Sequence, residues 1–189
     1  FIKLRAQTDS EALKKKFSNN EIYKKNLPTN ISWRSLYNIA EKTRYEVLGG
    51  KMLKGIEKNL TENYYHKIKL KRKDQLKSKE DVSVSEAFEL YMLKNFFDIK
   101  LNNLSEKILS FWEKEFDASL SNHKNFLNQN LENQEKYSSK FSEILEKMNI
   151  FDAQEETENN KDDKNDQTKD NNSSNEDQSQ NQGEQEKNL

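Results

Sequence analysis

The run from Glu41 to Leu60, EKTRYEVLGGKMLKGIEKNL, constrains the fold more than any other stretch, because it has helical periodicity while carrying residues that helices normally avoid. Three of the chain's four glycines, Gly49, Gly50 and Gly55, fall inside it. At about 100° per residue, Tyr37, Arg44, Leu48, Met52, Gly55 and Asn59 share one stripe, which places an arginine and an asparagine among residues expected to face a core. Each internal glycine costs roughly 0.5–1 kcal/mol relative to alanine, so a close backbone approach or a bend is expected there. An arginine on such a stripe needs a carboxylate. Glu41, three residues earlier, is within reach, and an acidic residue from a facing helix is the alternative. With that pairing, Arg44→Leu is expected to be tolerated and removal of the carboxylate alone to cost several kcal/mol; with the stem along the core and the head in solvent instead, both changes are expected to cost under about 1 kcal/mol.

The rest of the pattern is helical too. A first helix is expected over about Lys3 to Phe17, with Leu4, Leu13 and Phe17 inward, ending at the turn-forming Asn19-Asn20. A connector containing Pro28, the only proline, leads to Ser32, read as the N-cap of a long second helix through about Tyr65. Ser83-x-x-Glu86 spells a capping box, with Val82 and Ala87 in staple positions, and Val84, Phe88, Tyr91 and Phe96 extend an apolar face behind it. After a break at Asp98 to Asn103, the spacing of Ile108, Leu109, Trp112, Phe116 and Leu120 is helical from Ser105. Phe126, Leu127, Leu131, Phe141, Ile144, Leu145 and Met148 form the last stripe. About five helical segments with almost no strand signal predict an all-α helical bundle.

Net charge hides a division. From Asp152 to Leu189 twelve acidic residues face four lysines, a net of −8, whereas the 28 basic and 21 acidic residues of 1–151 give +7. The last segment's only hydrophobic residues are Ala153 and Leu189, too few to offset the entropy of ordering, so 152–189 is expected to be a disordered acidic linker or solvated spacer after a helical domain at 1–151. Phe1 leads straight into helical pattern, so the chain is expected to begin inside a longer protein. No apolar run reaches the roughly 18–20 residues of a membrane span and no signal-peptide core is present, which predicts no membrane partner. Absence of cysteine excludes disulfides and thiolate metal sites and agrees with a cytoplasmic setting.

Catalytic chemistry finds no foothold in these residues. His66 and His123 have no second ligand at i+3 or i+4, and Gly49-Gly50-Lys51 lacks the G-x-x-x-x-G-K-[ST] frame of a phosphate cradle. No serine or cysteine nucleophile stands in register with a histidine. No catalytic, metal-binding or cofactor-binding residue is therefore expected. The basic run Lys67 to Lys79, KIKLKRKDQLKSK, has few interleaved aromatic residues, so a solvated face or protein contact is the stronger reading and a nucleic-acid site the weaker.

The order Glu41, Arg44, Glu46, Gly49, Met52, Gly55, Asn59-Leu60 resembles the N-terminal region of the CobT subunit of aerobic, ATP-dependent cobaltochelatase. Arg5 to Phe17 is similar to that family's first helix, and Asp81 to Leu90 to its next conserved helix start. Ile108 to Trp112 and Leu131 to Phe151 are similar to its last helical stretches. The resemblance implies a helical module and acidic linker, with a C-terminal von Willebrand A-type domain missing. It implies a part in inserting cobalt(II) into hydrogenobyrinic acid a,c-diamide during cobalamin biosynthesis. ATP, Mg and cobalt would be used by the complex and not bound here, with a AAA+ subunit and a large macrocycle-binding subunit as partners. The seven quoted positions would then be of structural or interface interest, and the role one of assembly and coupling. The other reading is a helical scaffold or nucleic-acid-associated adaptor using the basic patch 67–79. Asp117-Ala118-Ser119-Leu120-Ser121 spells the D-x-S-x-S metal signature of A-type domains, but helical spacing runs through it, and on a helix its oxygens turn about 200° per step and do not converge on one ion.

Overall fold

The computed structural model describes residues 1–69, 76, 78–148 and 150, all within a unit spanning Phe1–Ile150. The expected linker at 152–189 and residues 70–75 and 77 of the basic run lie outside the described residues. Those described are all-α, without a strand. In chain order they form α1 (Ile2–Phe17), α2 (Asn20–Lys25), α3 (Ile31–Met52), α4 (Lys54–Lys69), α5 (Val84–Phe96), α6 (Asn103–Ser110), α7 (Glu113–Leu120), α8 (Lys124–Gln129) and α9 (Gln134–Glu146), with single 3₁₀ turns at Lys79–Asp81 and Ser121–His123. None of these helices is long and apolar enough to cross a membrane.

The segments outnumber the expected five because asparagines restart the helix. Asn19, Asn30, Asn102 and Asn133 cap α2, α3, α6 and α9, each side-chain oxygen accepting backbone N–H groups of the first turn. Asn30 therefore takes the cap expected of Ser32, whose own N–H is donated to it at 2.9 Å. Ser83 caps α5 as expected, through the Glu86 N–H at 3.1 Å, and Val82 and Ala87 beside it are buried.

Two expectations fail for geometric reasons. Leu4 is 65% exposed, not inward. Nine residues separate it from buried Leu13, a half turn out of phase at about 100° per residue, and the buried stripe of α1 is Ala6, Ser10 and Leu13. The long second helix also breaks. Leu53 takes an extended conformation (φ −135°, ψ 107°), and α4 folds back antiparallel on α3, so that Tyr64 reaches Glu46 and Glu57 lies beside Gly50. The helical stripe ends accordingly at Leu48, and Met52 is 56% exposed.

The glycines divide by what surrounds them. A Cβ on Gly49 would overlap both δ-carbons of Leu13 and stand 2.8 Å from its Cγ, so glycine there lets α1 cross α3 closely. A Cβ on Gly50 would meet Glu57 Cβ at 3.5 Å, an ordinary contact. Gly49→Ala is therefore expected to destabilise by about 1–2 kcal/mol, the overpacking strain exceeding the gain in helix propensity. Gly50→Ala is expected to be neutral or to stabilise by up to about 1 kcal/mol. Urea titration followed by circular dichroism compares them, and equal effects would refute the close crossing.

The second half packs around aromatic rings. Phe88 of α5 stands edge-on to Phe116 of α7 at 5.2 Å and to Phe141 of α9 at 6.1 Å, and all three are fully buried. Ile108, Leu109, Trp112 and Leu120 are buried as their spacing predicts, although a turn at Phe111-Trp112 separates α6 from α7. Phe126 is the exception in the last stripe, at 40% exposure, since short α8 turns Leu127 inward instead.

Candidate functional site

Polar side chains in the stripes of α1, α3 and α9 find one another in the core. Arg44 is fully buried, with its Nε 3.3 Å from both carboxylate oxygens of Glu41 and one terminal nitrogen 3.3 Å from Oε2. Its remaining donors reach Phe17 O at 2.8 Å, Ser18 Oγ at 3.2 Å and Leu131 O at 3.0 Å. The guanidinium thus satisfies a carbonyl left open at the end of α1, where a cation is also favoured by the helix dipole, and ties it to the turn before α9. Glu41 accepts further bonds from Ser138 Oγ and from Gln134 Nε2 at 3.2 Å. Gln134 in turn accepts from Asn19 N–H at 2.7 Å and donates to Asn19 O at 3.3 Å. Every charge in this network is hydrogen-bonded, which is the condition for tolerating it in a dry interior.

A second buried carboxylate lies one turn along α3. Glu46 accepts from Ser10 Oγ of α1 at 2.5 Å and from the Tyr64 hydroxyl of α4, with Lys42 Nζ at 4.0 Å. Asn59 of α4 donates to Asp9 of α1 at 2.8 Å. The structure thus pairs Glu41 with Arg44 and, in separate contacts, sets Glu46 against Ser10 and Tyr64, Gly49 against Leu13 and Asn59 against Asp9. Met52 and Gly55 join neither set and lie exposed at the α3–α4 turn. The partners Ser10, Gln134 and Ser138 escaped sequence reasoning. Their signal was the one that marked Arg44, since Gln134 and Ser138 continue the stripe of Phe141 and Leu145 at helical spacing.

Above the Arg44 network an open groove of about 620 Å³ is lined by Lys16, Phe17, Ser18, Asn19, Ile22 and residues 132–135. Within it Asn19 and Gln134 are already bonded to one another, and Lys16, Glu132 and Glu135 add charge to its lining.

Burial also sets the phenols. It pushes Tyr45 up to about 12, with nearby Glu46 adding to the effect, and raises Tyr37, Tyr64, Tyr91 and Tyr137 above their usual range. Because folded phenols ionise later than unfolded ones, their stability contribution is complete below pH 10 and is lost as pH rises toward 12. An alkaline titration is expected to show tyrosinate absorbance rising together with loss of helix in that window. Tyrosinate formation complete with helix intact would contradict the burial.

The remaining sequence motifs are placed apart. Asp117 and Ser119 lie on α7, where Asp117 Oδ1 accepts from the Tyr91 hydroxyl at 2.8 Å and lies 3.4 Å from Lys124 Nζ, while Ser121 Oγ donates back to Asp117 O. His66 is exposed in the last turn of α4, and His123 ends the second 3₁₀ turn. Among the described residues no three His, Asp or Glu side chains are grouped to hold a metal ion. A family model described as "Cobalamin biosynthesis protein CobT" matches residues 1–189. Searches of curated proteins and of solved structures return no match.

Proposed function

The chain belongs to the CobT family of cobalamin biosynthesis proteins, and from that premise we propose that it acts as the CobT-type subunit of an ATP-dependent cobaltochelatase, which inserts cobalt(II) into hydrogenobyrinic acid a,c-diamide. On this reading ATP and magnesium act at a AAA+ subunit, and a large subunit holds macrocycle and cobalt. The helical unit couples the two in the cytoplasm without an active site of its own. The family match along the whole chain carries the reading. The site's chemistry supports it: the buried Arg44, Glu41 and Glu46 spend their donors and acceptors on joining α1, α3, α4 and α9, as a rigid assembly module requires. Co-expression with the AAA+ subunit from the same genome tests it. Co-purification at fixed stoichiometry is expected, and an AAA+ subunit that elutes alone would overturn the assembly role.

A further inference from the structure

We infer that the one-residue turn at Leu53 is a hinge through which two copies of this chain exchange halves: α3 and α4 straighten into one helix, and α1–α3 of each copy pack on α4–α9 of the other. The turn is already almost helical. Leu53 N–H bonds to Gly49 O at 3.0 Å and Glu57 N–H to Leu53 O at 3.1 Å, the four-residue spacing of an α-helix. The ladder thus reaches the turn from both sides, and between Ile31 and Lys69 only the Leu53 backbone (φ −135°, ψ 107°) departs from the helix. Its residues favour the helix. Lys51, Met52, Leu53 and Lys54 are all strong helix formers, and a leucine has no side-chain oxygen with which to cap α4, whereas asparagines restart α2, α3, α6 and α9. Nor is the hinge packed in place, since Leu53 is 55% exposed.

What folds α4 back is packing, and a second copy can supply the same packing. Asn59 of α4 bonds Asp9 of α1, Tyr64 of α4 bonds Glu46 of α3, and Arg44 of α3 bonds Leu131 O before α9. Each of these pairs joins a residue before Leu53 to a residue after it, so exchange remakes it between copies with its geometry unchanged. The hairpin satisfies the packing and breaks the helix, whereas the exchanged pair satisfies both. Against the pair stands the translational and rotational entropy lost in joining two chains, so protein concentration sets the balance, and passage between the forms requires the halves to separate. The Arg44 network then lies between two copies and holds them together.

The chain's lack of cysteine makes the test direct. A Cβ on Gly50 would stand 3.5 Å from Glu57 Cβ, within disulfide range, so Gly50→Cys/Glu57→Cys reports which copy supplies each residue. In a straight helix those positions are about 10 Å apart along the axis and cannot bridge within one chain. The full chain, refolded from urea at high concentration, is expected to give a dimer by light scattering. Oxidation of that fraction of the double-cysteine variant is expected to link chains in pairs on a denaturing, non-reducing gel. Lys54→Pro is expected to lower the dimer fraction at least tenfold with helix content retained, because proline suits the first position of α4 and the extended Leu53 before it but blocks a continuous helix. Inserting Gly-Ser-Gly after Leu53 is expected to do the same by relaxing the reversal. A chain that stays monomeric at every concentration would overturn the exchange. So would a dimer whose disulfides close within single chains, or one that both hinge variants leave at its original fraction.

Discussion

Glu41→Ala is expected to lower the free energy of unfolding by about 3–5 kcal/mol, because it strands the Arg44 guanidinium in an interior where that charge is fully shielded from water. Arg44→Met is expected to cost a similar amount. An isolated pair would have tolerated an apolar replacement of the arginine, but this one also holds Phe17 O and Leu131 O, and its loss leaves those carbonyls and the Glu41 carboxylate short of donors. Urea unfolding of both single variants and of Glu41→Ala/Arg44→Met closes the cycle. The double variant is expected to cost well below the sum of the singles, since each single already breaks the shared network. Single variants costing under about 1 kcal/mol would mean the guanidinium reaches solvent in solution, contrary to this geometry.

Phe88→Ala is the other large effect, expected at about 3–5 kcal/mol. Phe88 has no exposed surface and sets its ring against Phe116, Phe141 and Tyr91, so its removal opens a cavity where α5, α7 and α9 meet. Phe126→Ala, the same chemical change at a 40% exposed site on α8, is expected to cost under about 1 kcal/mol. Thermal unfolding of the two variants makes the comparison. Comparable losses would show that α8 packs more deeply than described.

That contrast also shows what periodicity carries and what it does not. The stripes through Phe88, Tyr91, Trp112, Phe116, Phe141 and Leu145 were legible because spacing near 3.6 fixes which face of a helix is buried, and all six are buried. Helix ends were less legible. A cap depends on one side-chain oxygen meeting one N–H, and in a chain this rich in asparagine the sequence does not single out Asn19, Asn30, Asn102 and Asn133 from the others. The reversal at Leu53 was hidden for a related reason. The residues on both sides keep helical spacing, so the pattern reads through a turn that tertiary packing imposes between Gly50 and Glu57. Of the candidate site, the Arg44–Glu41 pair could be read from a charged residue on an apolar stripe three positions from a carboxylate. Its link to Leu131, Gln134 and Ser138 joins residues some ninety positions away, a distance over which a single sequence specifies no pairing.

The central claim, that this chain is the coupling subunit of a cobaltochelatase, is tested most directly by reconstitution. The AAA+ subunit and the large macrocycle-binding subunit from the same genome are combined with hydrogenobyrinic acid a,c-diamide, cobalt(II), magnesium and ATP, with and without the protein to which this chain belongs, and cobalt insertion is followed by the visible absorbance of the corrin ring. ATP-dependent insertion is expected only when that protein is present. Insertion at the same rate in its absence, or none with all three subunits folded and supplied with ATP, would contradict the account.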